Sequence, residues 1–166
     1  MQMNCDTANK LVKKLSAERT KVLSAESTSS TFGYLQGEEP YKPEYDFAAT
    51  QAALAALDNK IITLKHAVNL FNISHMVPGT NLTVDAALVR MTFLSSEKER
   101  LNRMRQVPKK RRSVSIGGKT SEFTERNYDD ADAEAAYQAA LSELTTIQQG
   151  LNAINMTEFF EVELDM

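Results

Sequence analysis

The chain has 166 residues, 42% of them hydrophobic, and a net charge of −3 at pH 7. Domains usually hold roughly 100–200 residues, so a single core is expected over residues 1–166. No stretch approaches the ~18 consecutive apolar residues of a membrane span, Met1 to Lys14 lacks the apolar centre of a signal peptide, and the lone Cys5 excludes a disulfide framework, which together predict a soluble, cytoplasmic protein.

Cys5 or Asp6 can cap a first helix that runs to about Ala25, with Ala8, Leu11, Val12, Leu15, Val22 and Leu23 towards the core. The serine-rich run at residues 27–30 ends it. Thr31 to Gln36 is aromatic and short enough for a strand, closed by a turn at Gly37-Glu38-Glu39-Pro40. A second helix is expected from near Pro43 to about Ile73. It carries Phe47, Thr50, Leu54, Leu57, Ile61, Leu64, Val68 and Phe71 at alternating spacings of three and four, the narrow seam by which helices pack on one another. Val77-Pro78-Gly79 stops it, and Asn81 or Thr83 caps a third helix that presents Leu88, Met91, Leu94 and Leu101 and breaks near Pro108.

Residues 107–127 read as a β-hairpin insertion, with Val114 and Ile116 on one face, Gly117-Gly118 as the turn, and Thr31 to Gln36 as a candidate third strand. Asn127, three residues before Asp130, resembles a capping box opening a fourth helix to about Asn155, with Gly150 as a weak point. Its seam is Ala133, Tyr137, Ala140, Leu144, Ile147, Leu151 and Ile154. The expected class is mainly α: four long antiparallel helices, bundle- or coiled-coil-like, with a small β-hairpin. The seams are longer than one domain of this size needs, so a homo-oligomer is expected.

Charge is distributed unevenly. Residues 98–119 hold nine basic side chains against Glu99, whereas residues 120–166 hold eleven acids against Arg126. Such blocks imply an internal or intersubunit electrostatic match, or an anion site. In the segment from Lys109 to Thr120, arginine forks, hydroxyls and glycine N–H groups supply what a phosphate-binding loop uses. It is not a Walker A loop, because Ser113 stands where the first glycine would have to be. The ligand-binding candidates are Arg100, Arg103, Arg111, Arg112, Ser113, Ser115, Gly117, Gly118 and Lys119; the plain alternative is a solvated hairpin tip beside a solvated helix face. Nucleic acid is disfavoured by the acidic whole and by the lack of aromatics beside the basic run.

Asp129, Asp130, Asp132 and Glu134 read as acids favoured by a helix dipole rather than as a metal site. His66 and His75 lack the spacing of a zinc helix; His66 reads as surface and His75 as a helix C-terminal residue. No nucleophile motif is present, so no enzyme, catalytic residue or cofactor is expected.

Several segments together resemble the septicolysin-like family of bacterial proteins, found also in phage genomes: Gly37-Glu38-Glu39-Pro40, Asn69-Leu70-Phe71-Asn72, Gly79 to Thr83 followed by Ala87-Leu88-Val89-Arg90, and Ile147-Gln148 through Asn155-Met156-Thr157-Glu158. Arg111-Arg112-Ser113-Val114-Ser115 departs from that family's Arg-x-Ser-Arg-Ser-Glu-like run, and the third helix is offset by about one residue. The resemblance implies a mainly helical fold with a short basic hairpin and no particular activity. The functional expectation is a non-catalytic protein that sequesters a small phosphorylated or nucleotide-like ligand at the hairpin; the alternative is a structural or protein-interaction helical module.

Overall fold

The computed structural model describes residues 1–114 and 120–164. Its elements are β1 (Gln2–Met3), α1 (Cys5–Ser29), α2 (Phe47–Ser74), α3 (Val84–Arg105), β2 (Lys110–Val114), β3 (Ser121–Glu125), α4 (Asp130–Thr157) and β4 (Phe160–Glu161), so the mainly α class with a two-stranded hairpin is observed. Contacts divide the chain into two units, Met1–Ser74 with Ile154–Met166, and His75–Ala153.

In the first unit, Asn4 starts α1 by accepting a hydrogen bond from the Thr7 N–H at 2.9 Å. Along α1, Cys5, Ala8 and Leu15 are buried and Val12 and Val22 half-buried. Ala8 and Leu15 share a core with Met3, Leu64 and Val162, packed by Leu57, Ile61 and Val68 of α2. Leu64 is fully buried, which is worth roughly 1.5–3 kcal/mol. Two positions of the α1 seam are charged and are answered specifically. Arg19 donates to Asp58 from Nε at 2.5 Å and Nη2 at 3.3 Å; Glu26 accepts from the Tyr45 hydroxyl at 2.8 Å and from Gln51 at 2.9 Å. Residues later on α1 meet residues earlier on α2, so the pair is antiparallel. β1 and β4 pair antiparallel, Met3 opposite Phe160, whose ring lies 5.4 Å from that of Phe71. Burial pushes the Cys5 thiol up to about 11, which leaves it protonated and unreactive at neutral pH.

In the second unit, Thr83 caps α3 by accepting from the Ala86 N–H at 3.2 Å. Val84, Ala87, Leu94 and Leu101 of α3 are buried, as are Ala133, Ala140, Leu144, Ile147 and Leu151 of α4. Arg90 pairs with Glu143 and Arg105 with Glu134, again in antiparallel order. The connector before α3 is tied by Val77 N–H to Leu82 O (2.8 Å) and Val84 N–H to His75 O (2.9 Å), and Gly79 takes φ +77 in its turn.

Several local expectations are corrected. Thr31 to Gln36 forms no strand: the described sheets are β1–β4 and β2–β3, and residues 31–36 pair with neither, so their backbone lacks the ladder that makes a strand. α2 begins at Phe47 rather than near Pro43, because Asp46 accepts from the Ala49 N–H at 2.9 Å and so acts as the cap. α1 continues to Ser29, past Ala25. Asp129, not Asn127, caps α4, accepting from the Ala131 N–H at 3.0 Å. Leu23 and Leu88 are exposed; on α3 the seam includes Ala87 instead. Gly150 is a close contact rather than a weak point: a Cβ there would lie 2.5 Å from Pro78 O and from Val77 Cγ1.

Candidate anion-binding site

The hairpin's pleat sorts its charges. Cross-strand partners in an antiparallel ladder point to one side of the sheet, and successive residues to opposite sides. Lys110, Arg112 and Val114 therefore share one face with their partners Glu125, Phe123 and Ser121, while Arg111 and Ser113 share the other with Thr124 and Glu122.

On the first face the cations are occupied. Lys110 pairs with Glu125 at 2.5 Å and sits 4.8 Å from the centre of the Phe123 ring. Arg112 donates to Ser121 Oγ from Nε at 3.0 Å and from Nη2 at 2.7 Å. On the second face, Arg111 and its partner Thr124 line a cleft of about 360 Å³ with Arg103 and Gln106 from the end of α3, Val107 and Pro108 of the connector, and Arg126 just after β3. The cleft is thus built where a helix end and a hairpin base are held together.

Arg126 does the holding. Its side chain is only 10% exposed, and its Nη1 donates to Val107 O at 3.3 Å and to Asp130 at 2.6 Å. Its guanidinium carbon lies 5.3 Å from the centre of the Tyr128 ring, its backbone N–H donates to Lys109 O at 3.0 Å, and the Tyr128 hydroxyl donates to Met104 O at 2.6 Å. The Nε of Arg126 is buried with no acceptor among the described residues. Arg103 and Arg111, by contrast, have no ion-pair partner among the described residues. The cleft therefore gathers three guanidiniums against one neutralising carboxylate.

Of the sequence candidates, Arg103 and Arg111 are brought together. Arg100 is not among them: it lies 3.9 Å from Glu97 and its Nη1 is 3.4 Å from Met104 Sδ. Arg112 and Ser113 fall on opposite faces of the hairpin, Arg112 turned to Ser121. Ser115, Gly117, Gly118 and Lys119 lie outside the described residues, as does Ile116. Arg126 and Thr124 are additions; the visible signal was that Arg126 is the lone base in an acidic stretch.

Two other clefts in this unit are less suited to an anion. One of about 570 Å³ includes Asp129, Asp130 and Glu134, and its arginine, Arg105, is engaged by Glu134 and stacked 4.2 Å from the centre of the Tyr137 ring. The other, about 510 Å³, has Arg90 joined to Glu143 by two bonds of 2.7 Å; Arg90's hydrogen bond holds the Glu143 carboxyl below the usual carboxylate range. Among the described residues no group of three or more His, Cys, Asp or Glu side chains is placed to hold a metal, and no helix is long and apolar enough to cross a membrane.

No family model and no curated protein matches the chain. Among solved structures it is similar to a functionally unknown conserved protein from Corynebacterium diphtheriae, with a TM-score of 0.63 and 11% identity, covering 97% of this chain and 100% of that one. At that identity the likeness is one of fold.

Proposed function

We propose that this chain is a non-catalytic binding protein that sequesters a small phosphorylated, nucleotide-like ligand at its basic hairpin, acting in the cytoplasm as a homo-oligomer, and that it is a relative of the septicolysin-like family found also in phage. The observation that carries the binding reading is the convergence of Arg103, Arg111 and Arg126 on one cleft with Thr124 beside them. Guanidinium forks match phosphate oxygens in pairs, and charge-assisted hydrogen bonds are the strong ones. Sequestration needs only affinity. Thermal shift of the whole protein across mono-, di- and cyclic nucleotides and sugar phosphates tests it: stabilisation is expected with at least one phosphorylated compound, and none with any would remove the reading.

The second reading, a helical interaction module, is favoured by exposed apolar side chains, notably Tyr34, Leu35 and Tyr41 of the loop before α2 and Val114 and Phe123 of the hairpin. Most of the seam residues of α2 and α4 that motivated an oligomer are covered within one chain, so self-association rests instead on exposed residues such as Ile62, Leu70, Leu88 and Phe93. Light scattering after gel filtration should give at least twice 18.5 kDa. A monomer at micromolar concentration would sink the oligomer and leave the binding reading standing.

A further inference from the structure

Resting on that reading, we infer that the arginine cleft selects a terminal phosphate monoester over a phosphodiester. Charge and the number of free oxygens set the preference. Arg126 shares its charge with Asp130, whereas Arg103 and Arg111 have no carboxylate partner among the described residues, so two positive charges around the cleft are left unanswered. A phosphate monoester carries between −1.5 and −2 at pH 7 and offers three terminal oxygens. A diester, with its single charge and two free oxygens, answers one of the two cations and leaves the other beside it unpaired. Each guanidinium fork seats on an O–P–O edge; three terminal oxygens offer three such edges and two offer one, so the monoester alone seats two forks on separate edges.

The surroundings fit the same ligand. Thr124, directly across the ladder from Arg111, adds a hydroxyl donor, and Gln106 an amide. Val107 and Pro108 give the cleft an apolar wall on which the organic part of the ester can lie, and about 360 Å³ is within the range of small-molecule sites. Arg126 is held in place before any ligand arrives, by Val107 O, Asp130 and the Tyr128 ring. A charge already ordered costs less to use in binding.

Calorimetric titration of the whole protein with the 5′-monophosphates of adenosine, guanosine, cytidine and uridine, each beside its 3′,5′-cyclic form, tests the inference, because each pair differs by one charge on one base. At least one monoester is expected to bind at least tenfold more tightly than its cyclic partner. Arg111→Ala, at an exposed strand position, should weaken that monoester ten- to a hundredfold and narrow the ratio between the two forms, with thermal unfolding unchanged; Arg103→Ala should act in the same direction. Equal or tighter binding of the cyclic forms overturns the monoester inference while the phosphorylated-ligand reading survives. Monoester binding that neither variant weakens also overturns it, by placing the site elsewhere. If none of the eight compounds binds, the inference fails; if the wider thermal-shift panel is silent as well, the reading beneath it fails too.

Discussion

The two ends of α3 are built from similar residues and finished in opposite ways. At its start, the Val77–Pro78 connector presses on Gly150 of α4, and Arg90 gives its Nε–Nη2 edge to both carboxylate oxygens of Glu143. At its finish, Arg103 lines a cleft with Arg111 and Arg126, where the acids of the neighbouring segment supply only Asp130. Both ends border a cleft, but at one the arginine is neutralised and at the other two arginines have no carboxylate partner among the described residues. Counting charges along the chain does not separate them. Which arginine has a partner does, and that depends on helix pairing and on the pleat of a hairpin.

Substituting at each end sharpens the contrast, and the largest effect belongs to the neutral end. Gly150→Ala would gain helix propensity in an exposed helix, but here the new methyl meets a backbone oxygen and a valine methyl at 2.5 Å, so chemical denaturation should show a loss of about 3 kcal/mol. A neutral or stabilising result would mean that the connector yields freely and that its contact with Gly150 does not hold that end together. At the cationic end, Arg126→Ala removes a nine-tenths-buried cation with its bonds to Val107 O and Asp130; a loss of about 2 kcal/mol is expected, with faster hydrogen exchange at the base of β2 and β3.

The smallest effect separates an occupied arginine from an open one by pH. Glu143→Gln should lower Tm by about 2 °C or less, since both partners are well exposed and solvent screens the pair. Because the folded Glu143 carboxyl is held below its unfolded value of about 4.3, the wild-type advantage should be full above that value and fade as the pH falls through the lower, folded one. An advantage that does not change with pH would show that Arg90 and Glu143 matter through packing. Nucleotide binding should be untouched by Glu143→Gln, and a change there would break the distinction between the two ends.

Much of this fold was legible in spacing. The seam of α4 was read residue by residue from Ala133 to Ile154, and all but the half-buried Tyr137 are buried as expected, because a period near 3.5 permits only one face to pack. The third helix shows the limit: Leu88 and Ala87 are adjacent, hydropathy favours leucine, and the neighbouring helix took the alanine. Helix starts at Phe47 and Asp130 turned on which of several acids and amides accepts an N–H, a choice among near-equals that a local bond decides. Residues 31–36 had the composition of a strand without the partner that makes one.

The site divides in the same way. That the stretch 98–119 is basic and that residues 107–127 turn back on themselves belongs to the sequence alone, since charge and turn residues are local properties. Which arginines meet belongs to the tertiary structure. Arg111 and Arg112 are neighbours in the chain, yet one lines the cleft and the other binds Ser121, because a strand sends adjacent side chains to opposite faces and the ladder's register sets which face is which. Arg126 joins Arg103 across more than twenty residues only because β3 returns the chain to the end of α3, and no pattern of spacing records a return of that kind.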